Sequence, residues 1–381
     1  MLQRHYGLDW LRIGAFALLI LYHTGMYFGE WDWHVKADPP VQWVEWPMMA
    51  VNPWRMALLF LVSGVATRFL LAKVGGPGSL WRTRWPRLFL PLLFGVVLVV
   101  PLQPWIELRT QHGYAMSFGH FLLRDYFRFG TLDGLVLPTW NHLWFLAYLL
   151  LYTGLLAGWL ALVRPRPGGF DRLFAGWRLW GLPLLWLIGI RIFLLPRFGE
   201  THALVDDWYL HAFYLPVFLF GFGLAASKAV QRRFGRCWKP LLAVSLLALA
   251  VRFALIAAYP EGWDAMPEPS QAVAILARSV QVWTVLAGLT GLALDRLNRD
   301  HPWRKPLAEA VFPAYIVHQT AIVGLAWLTA RLALAQGVQA MLILGGTFLA
   351  CGAAWTIGGR LGPAAVVLGM KPVAARAPAA A

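Results

Sequence analysis

Long apolar runs recur along this chain and constrain its fold more than any other feature. Each is about 18 to 24 residues, the length an α-helix needs to cross roughly 30 Å of hydrocarbon. We predict ten such spans, at about residues 8–28, 54–72, 86–104, 141–163, 179–196, 208–227, 240–259, 271–294, 307–330 and 338–362. Because 59% of the residues are hydrophobic and only 13% charged, the composition also indicates a membrane protein. The sequence therefore predicts an all-α, polytopic bundle of about ten transmembrane helices, with residues 1–370 as one domain and 371–381 as a short disordered cytoplasmic tail.

Basic residues are distributed unequally between the two sets of connections. The set that includes both termini holds 20 Lys/Arg against 3 Asp/Glu, whereas the other set holds 6 against 13. Since cytoplasmic loops carry the excess of Lys and Arg, the N and C termini are both predicted to be cytoplasmic. The net charge of +15 then acts as a topology signal or as a surface for anionic lipid or cofactor, and nucleic acid is not expected as a partner. The two cysteines, Cys237 and Cys351, indicate no disulfide framework, and no metal is expected.

The first span carries two side chains that lipid disfavours, Arg12 and His23. They are 11 residues apart, which at 100° per residue is about 20° beyond three full turns, so both project from the same face about 16 Å apart. Asp9 shares that face and can orient the Arg12 guanidinium. A buried neutral histidine can act as a base near neutral pH, and it can equally be a structural hydrogen-bonding group between helices.

Other polar groups lie within the spans or at their predicted outer ends. His318 is predicted at mid-membrane, where a structural bond and a catalytic contact are both open, and Glu309 in the same span faces the opposite way. The set at the outer ends comprises Arg55, Asn141, His142, His211 and Tyr214. Charged groups at such depth favour a polar interior or a cavity.

These segments resemble a known family. The match rests on Arg12 and His23 in LDWLRIGAFALLILYH, then LLFLVSGVATRF with Ser63 and Arg68, RTRWPRLFLP, NHLWFLAYL and FPAYIVHQ. In this order the blocks resemble the acyltransferase 3 family of integral membrane acyltransferases, over roughly residues 8 to 330. The segments WDWHVK, NPWRMALLFLVSG and TWNHLWFLAYLL resemble most closely its glucan-biosynthesis protein C branch.

The resemblance implies acyl transfer from a cytoplasmic acyl-CoA, with succinyl-CoA favoured, to a hydroxyl of an osmoregulated periplasmic glucan. It implies a multi-pass protein of the bacterial inner membrane, with His23 and Arg12 as the essential pair and His23 as general base. The outer polar groups and His318 become candidates for contact with the acceptor or the developing oxyanion. Candidates for binding acyl-CoA are Ser63, Arg68, Arg82, Arg84 and Arg87. The last three could hold phosphates through charge-assisted hydrogen bonds, and they are equally good topology signals.

Two alternatives stay open at this level. One is an O-acetyltransferase of another cell-envelope glycan. The other is a proton-coupled secondary transporter, against which the spans show no obvious repeat and no paired Gly/Pro-broken helices. The acyl group, the acceptor glycan, a covalent acyl-enzyme and a homo-oligomer are likewise left open by the sequence.

Overall fold

The computed structural model describes residues 6–163, 165–332 and 334–370. The helices are α1 (Tyr6–Phe28), α2 (Glu45–Val51), α3 (Arg55–Val74), α4 (Pro77–Phe94), α5 (Leu102–Gln111), α6 (Phe118–His120), α7 (Trp144–Leu162), α8 (Gly169–Leu173), α9 (Arg178–Phe193), α10 (Leu195–Phe198), α11 (Trp208–Leu224), α12 (Lys228–Ala258), α13 (Glu268–Asp295), α14 (Arg304–Thr329) and α15 (Gln336–Gly358). Two short antiparallel strands, β1 (Gly130–Leu132) and β2 (Leu135–Leu137), pair with Thr131 opposite Val136.

Nine helical segments of the described ranges are long and apolar enough to cross a membrane. The remaining predicted span, 208–227, corresponds to α11, which is also apolar but has only 17 residues. The prediction of an all-α polytopic membrane protein is therefore confirmed. The predicted disordered tail, 371–381, lies outside the described residues.

Two compact units make up the described chain. The first contains the residues up to Ala15, Ala50–Trp81 and Tyr152–His301. The second contains Phe16–Met49, Arg82–Leu151 and the residues from Pro302 onward.

In the first unit, α3 and α11 approach each other through a pair of glycines. A Cβ on Gly64 would lie 2.0 Å from the carbonyl oxygen of Phe218, and a Cβ on Gly221 would lie 2.1 Å from that of Leu61. Small residues allow such backbone contact between membrane helices, which have little hydrophobic driving force for association. The glycine in LLFLVSG is thus required by packing.

In the second unit, α14 packs against α15, α5 and a π-helical turn at Gly95–Val99 that follows α4. A π-turn displaces carbonyl groups from the regular helical pattern. Two of them are satisfied by side chains: Tyr126 donates to the Val96 oxygen at 2.9 Å, and Thr320 donates to the Val99 oxygen at 3.0 Å. Thr320 belongs to α14, so this bond fixes α14 at the level of its polar residues.

Candidate active site

His23 and His318 form a hydrogen-bonded pair inside the second unit. His23 Nδ1 lies 3.0 Å from His318 Nε2, and the two imidazole rings are stacked with centroids 5.1 Å apart. His318 is fully buried and His23 is 9% exposed. The histidines that the sequence placed in separate spans therefore meet at one site.

The hydrogen bonds determine which nitrogen of each neutral ring carries the proton. His318 Nδ1 lies 2.7 Å from the Tyr315 carbonyl oxygen, and because a carbonyl only accepts, this nitrogen must donate. The His318 Nε2 lone pair is then the acceptor for the Nδ1–H of His23. It follows that the basic lone pair of His23 is on Nε2.

His142, in the short 3-10 helix Asn141–Leu143 just before α7, supports this pair from the side. Its ring meets that of His318 edge-on, with centroids 5.1 Å apart. Its Nε2 donates to the Ile316 carbonyl oxygen at 3.0 Å, and its Nδ1 lies 3.4 Å from Gln103 Nε2, a donor. Both ring nitrogens of His142 are therefore occupied, which suits a supporting role.

Neutral amides extend the network to a fourth histidine, His34. Gln319 Nε2 donates to Gln103 Oε1 at 2.9 Å and lies 3.3 Å from His34 Nε2. Asn141 Nδ2 donates to the same Gln103 oxygen at 3.0 Å. Because His34 Nε2 accepts from the amide, its Nδ1–H is directed to the Glu107 carboxylate, with which it makes a very short contact. Glu107 thus orients His34, which two hydrogen-bonded glutamines connect to His142 beside the buried pair.

Aromatic side chains enclose His23. The Trp33 ring stacks on its imidazole at 5.4 Å, and Tyr22 meets it edge-on at 5.9 Å. Trp33 belongs to the loop after α1, which is tied to the end of α5 because Gln111 donates to the Trp33 oxygen at 2.6 Å. The loop thus positions both the wall of the site and His34.

Three predicted outer residues belong to the first unit. Arg55 is bound by its neighbour Asn52, through both the carbonyl oxygen at 3.3 Å and the side-chain oxygen. His211 Nδ1 lies 3.0 Å from the Tyr152 hydroxyl, and Tyr214 is buried. Only His142, Asn141 and His318 of the predicted set therefore lie in the unit that contains His23.

The remaining predicted residues lie on α1 and α3. Asp9 and Arg12 are one turn apart in the first unit, and both are half-buried. Ser63 and Arg68 are half-buried on α3, with the Arg68 guanidinium carbon 4.9 Å from the centroid of the Phe222 ring. Arg68 also lines a cavity of about 860 Å³ with walls from α7, α8 and α11.

The basic segment expected as a connection is helical. α4 begins at Pro77, before the predicted span start at residue 86, because proline suits the first turn of a helix. Arg84 and Arg87 are half-buried and Arg82 is exposed, all in the second unit. The helix therefore begins before the span predicted at 86–104 and includes the basic residues of the predicted connection.

Sequence reasoning missed His34, Glu107, Gln103 and Gln319. It searched the spans for charged residues and histidines, whereas Gln103 and Gln319 are neutral amides in apolar helices. Fully buried amides need partners, so amides within predicted spans are the signal that could have found them. Within the described ranges, no three His, Cys, Asp or Glu side chains are arranged to hold a metal ion.

The fold and this site define a multi-pass membrane protein with a buried, neutral histidine pair suited to acid–base chemistry. The chain belongs to the acyltransferase 3 family, since the family model described as "Acyltransferase domain" matches residues 5–358. No curated protein and no solved structure matches it. It is accordingly a membrane acyltransferase.

Proposed function

We propose that the protein transfers an acyl group, succinyl by preference, from cytoplasmic acyl-CoA to a hydroxyl of a periplasmic glycan. The proposed acceptor is an osmoregulated periplasmic glucan, and the proposed location is the inner membrane of a bacterium. The observation that carries the proposal is the His23–His318 hydrogen bond, which directs the lone pair of His23 to Nε2. Family membership supplies the reaction class.

In the proposed step, His23 Nε2 takes the proton of the acceptor hydroxyl as its oxygen attacks the thioester carbonyl. The tetrahedral oxyanion then collapses, the C–S bond breaks, and the leaving thiolate receives the proton from His23. The ester and free CoA are the products, and His23 returns to its neutral form. His318 positions the ring throughout by holding Nδ1–H.

A donor for the oxyanion is proposed at Asn141. Its Nδ2 has one hydrogen directed to Gln103 and a second available in its amide plane. Asn141 has φ of 40°, a left-handed conformation that few residue types tolerate and that is typical of functional sites. His142, whose ring nitrogens are both engaged, is proposed as a support rather than as the donor.

For the acyl-CoA donor, we propose a basic and apolar binding surface on the cytoplasmic side. The cavity at Arg68 combines that guanidinium with Arg166, Trp159 and Phe222. Its mixture of charge and apolar wall suits a phosphorylated ligand with an uncharged arm. Arg82, Arg84 and Arg87 on α4 are proposed to attract the same polyanion, and Arg12 to act with His23 on α1.

For the acceptor, we propose a polar cavity of about 560 Å³ in the second unit. Glu30, Asp32 and Gln111 line it beside Trp327, and this combination can hydrogen-bond sugar hydroxyls and cover a sugar face. Lys36 is also in its wall, where burial lowers the pKa of its ammonium and nearby Glu45, Asp32 and Glu30 partly offset that effect. The Gln111 bond to the Trp33 loop joins this cavity to the wall of the histidine site.

The test is transfer by the purified full chain in lipid nanodiscs. Succinyl-CoA and acetyl-CoA are each supplied with a periplasmic glucan, and mass spectrometry identifies the product. We expect a succinyl ester from wild type, at least about 100-fold less ester from His23→Ala, and full activity from the control His120→Ala, an exposed histidine. An acetyl ester alone would replace the succinyl assignment, and normal transfer by His23→Ala would refute His23 as base.

A further inference from the structure

Several arginines lie in the predicted outer half of the helices of the first unit. Arg252 lies six residues before the end of α12, and Arg278 lies ten residues after the start of α13, so they are about 9 and 15 Å from the connection between these helices. Arg191 lies near the end of α9. The charges interact, because Arg278 repels both Arg191 and Arg252.

Neutral groups hold two of these guanidiniums. Arg191 donates to the Tyr209 hydroxyl at 2.8 Å, and Arg252 donates to Gln281 Oε1 at 2.5 Å. Gln281 is fixed in turn, because its Nε2 donates to the Ala50 carbonyl oxygen at 3.0 Å. These bonds orient the two guanidiniums through neutral acceptors.

Two carboxylates of the connection between α10 and α11, Glu200 and Asp207, differ in their roles. Glu200 Oε1 lies 3.6 Å from the nearest nitrogen of Arg278 and its side chain is 39% exposed. Asp207 is fully buried and accepts from Thr201, His202 and Leu210, which makes it a cap for the start of α11. Glu200 also acts electrostatically on Arg191, against the repulsion from Arg278.

Guanidiniums that repel one another at this depth are costly unless an anion or water lies between them. The Arg278 side chain is 24% exposed, so a ligand can reach it, and its buried Nε has no hydrogen-bond acceptor among the described residues. Guanidinium groups bind carboxylates and phosphates with paired hydrogen bonds.

We propose that Arg191, Arg252 and Arg278 form a binding site for an oxyanion group, a carboxylate or a phosphate, in the outer half of the first unit. The ligand donates no proton and forms no covalent bond here. Its source is either a soluble substrate that carries such a group or the headgroup of an anionic lipid. This binding proposal does not depend on the proposed transferase step, and it would stand even if the transferred acyl group were not succinyl.

The experiment measures thermal unfolding of the full chain in neutral phosphatidylcholine nanodiscs. Sodium succinate, inorganic phosphate and chloride are added at matched ionic strength, and a second set of nanodiscs contains phosphatidylglycerol. We expect one oxyanion to raise the unfolding temperature of wild type beyond the chloride effect. A succinate response assigns a carboxylate ligand, a phosphate response a free phosphate, and a response confined to phosphatidylglycerol a lipid headgroup.

Variants decide whether the shift belongs to this cluster. Arg278→Gln should weaken the apparent affinity at least about tenfold, whereas Arg232→Gln, at an exposed position on α12, should leave it unchanged. If Arg278→Gln does not fold, Arg278→Lys keeps the charge but lacks the paired donors, and it should bind more weakly than wild type. The proposal is overturned if no oxyanion stabilises the wild type, or if the Arg278 variants respond as wild type does.

Discussion

His318 should be a positioning residue for His23, and its replacement by leucine is the sharpest test of the site. In wild type, His318 accepts the His23 Nδ1–H at 3.0 Å and donates to the Tyr315 oxygen at 2.7 Å. Leucine fills similar space without an acceptor. The Nδ1–H of His23 then lies in an apolar environment without its partner, and the other ring tautomer becomes accessible.

The structure allows the size of the effect to be worked out. A buried donor left without its acceptor costs about 1–3 kcal/mol. About 1.4 kcal/mol corresponds to a factor of ten in rate. If the penalty raises the free energy of the His23 tautomer that has its lone pair on Nε2, kcat should therefore fall by roughly 5- to 150-fold. Loss of the base itself in His23→Ala should cost more, about 10²- to 10⁴-fold.

The assay is release of CoA thiol from succinyl-CoA with glucan present, using purified protein in nanodiscs. His318→Gln is the matched variant, because its amide oxygen can accept the same hydrogen and should restore most of the activity lost in His318→Leu. Thermal unfolding of each variant separates misfolding from loss of positioning. KM for the donor should stay close to wild type, since His318 is not proposed to bind it.

A double variant gives the decisive comparison. If His318 acts only through His23, then His23→Ala with His318→Leu should be no slower than His23→Ala alone, because residues that act as a unit are not additive. Multiplicative losses would mean that His318 has a separate role. Wild-type kcat in His318→Leu would refute the positioning argument altogether.

Three further outcomes follow from other parts of the structure. Gly221→Ala should lower stability by about 1–3 kcal/mol because its Cβ meets a backbone carbonyl of α3, while Gly14→Ala, with no atom within 4 Å, should not, as compared by thermal unfolding. Glu107→Leu should cost about 1–3 kcal/mol by leaving the His34 Nδ1–H without its acceptor, and Glu107→Gln should cost less in the same assay. Burial lowers the pKa of His202, and Arg55 lowers it further, although Glu200 and Asp207 oppose this shift. As pH falls, the histidine of the unfolded state is therefore protonated first. The free energy of unfolding should then fall as pH drops below about 6.5. His202→Asn, which suits the left-handed φ of 58°, should show a smaller fall in unfolding temperature between about pH 7.5 and 5; an unchanged pH profile would contradict this assignment.

The sequence predicted the elements of the fold better than their association. Span length and hydropathy found every major helix, because lipid imposes those lengths whatever the helices pack against. Helical spacing also separated His318 from Glu309 correctly, since His318 is buried and Glu309 exposed. The bond between His23 and His318 could not be predicted, because 295 residues separate them and no periodicity relates two different helices. The role of the neutral amides depends on the same long-range packing.

The neutral character of the histidine pair explains why His23 is oriented by another imidazole rather than directly by a carboxylate. A carboxylate in contact with His23 would have to be buried as a charge in the membrane, which costs several kcal/mol unless it is paired. It would then stabilise imidazolium before the reaction as well as during it. His23 instead donates to His318, which donates to the Tyr315 carbonyl oxygen, so this chain contains no carboxylate. Positive charge then develops on His23 only when the acceptor hydroxyl gives up its proton. Glu107 is held by His34 instead, away from the pair. Its own burial is compensated there by a direct partner.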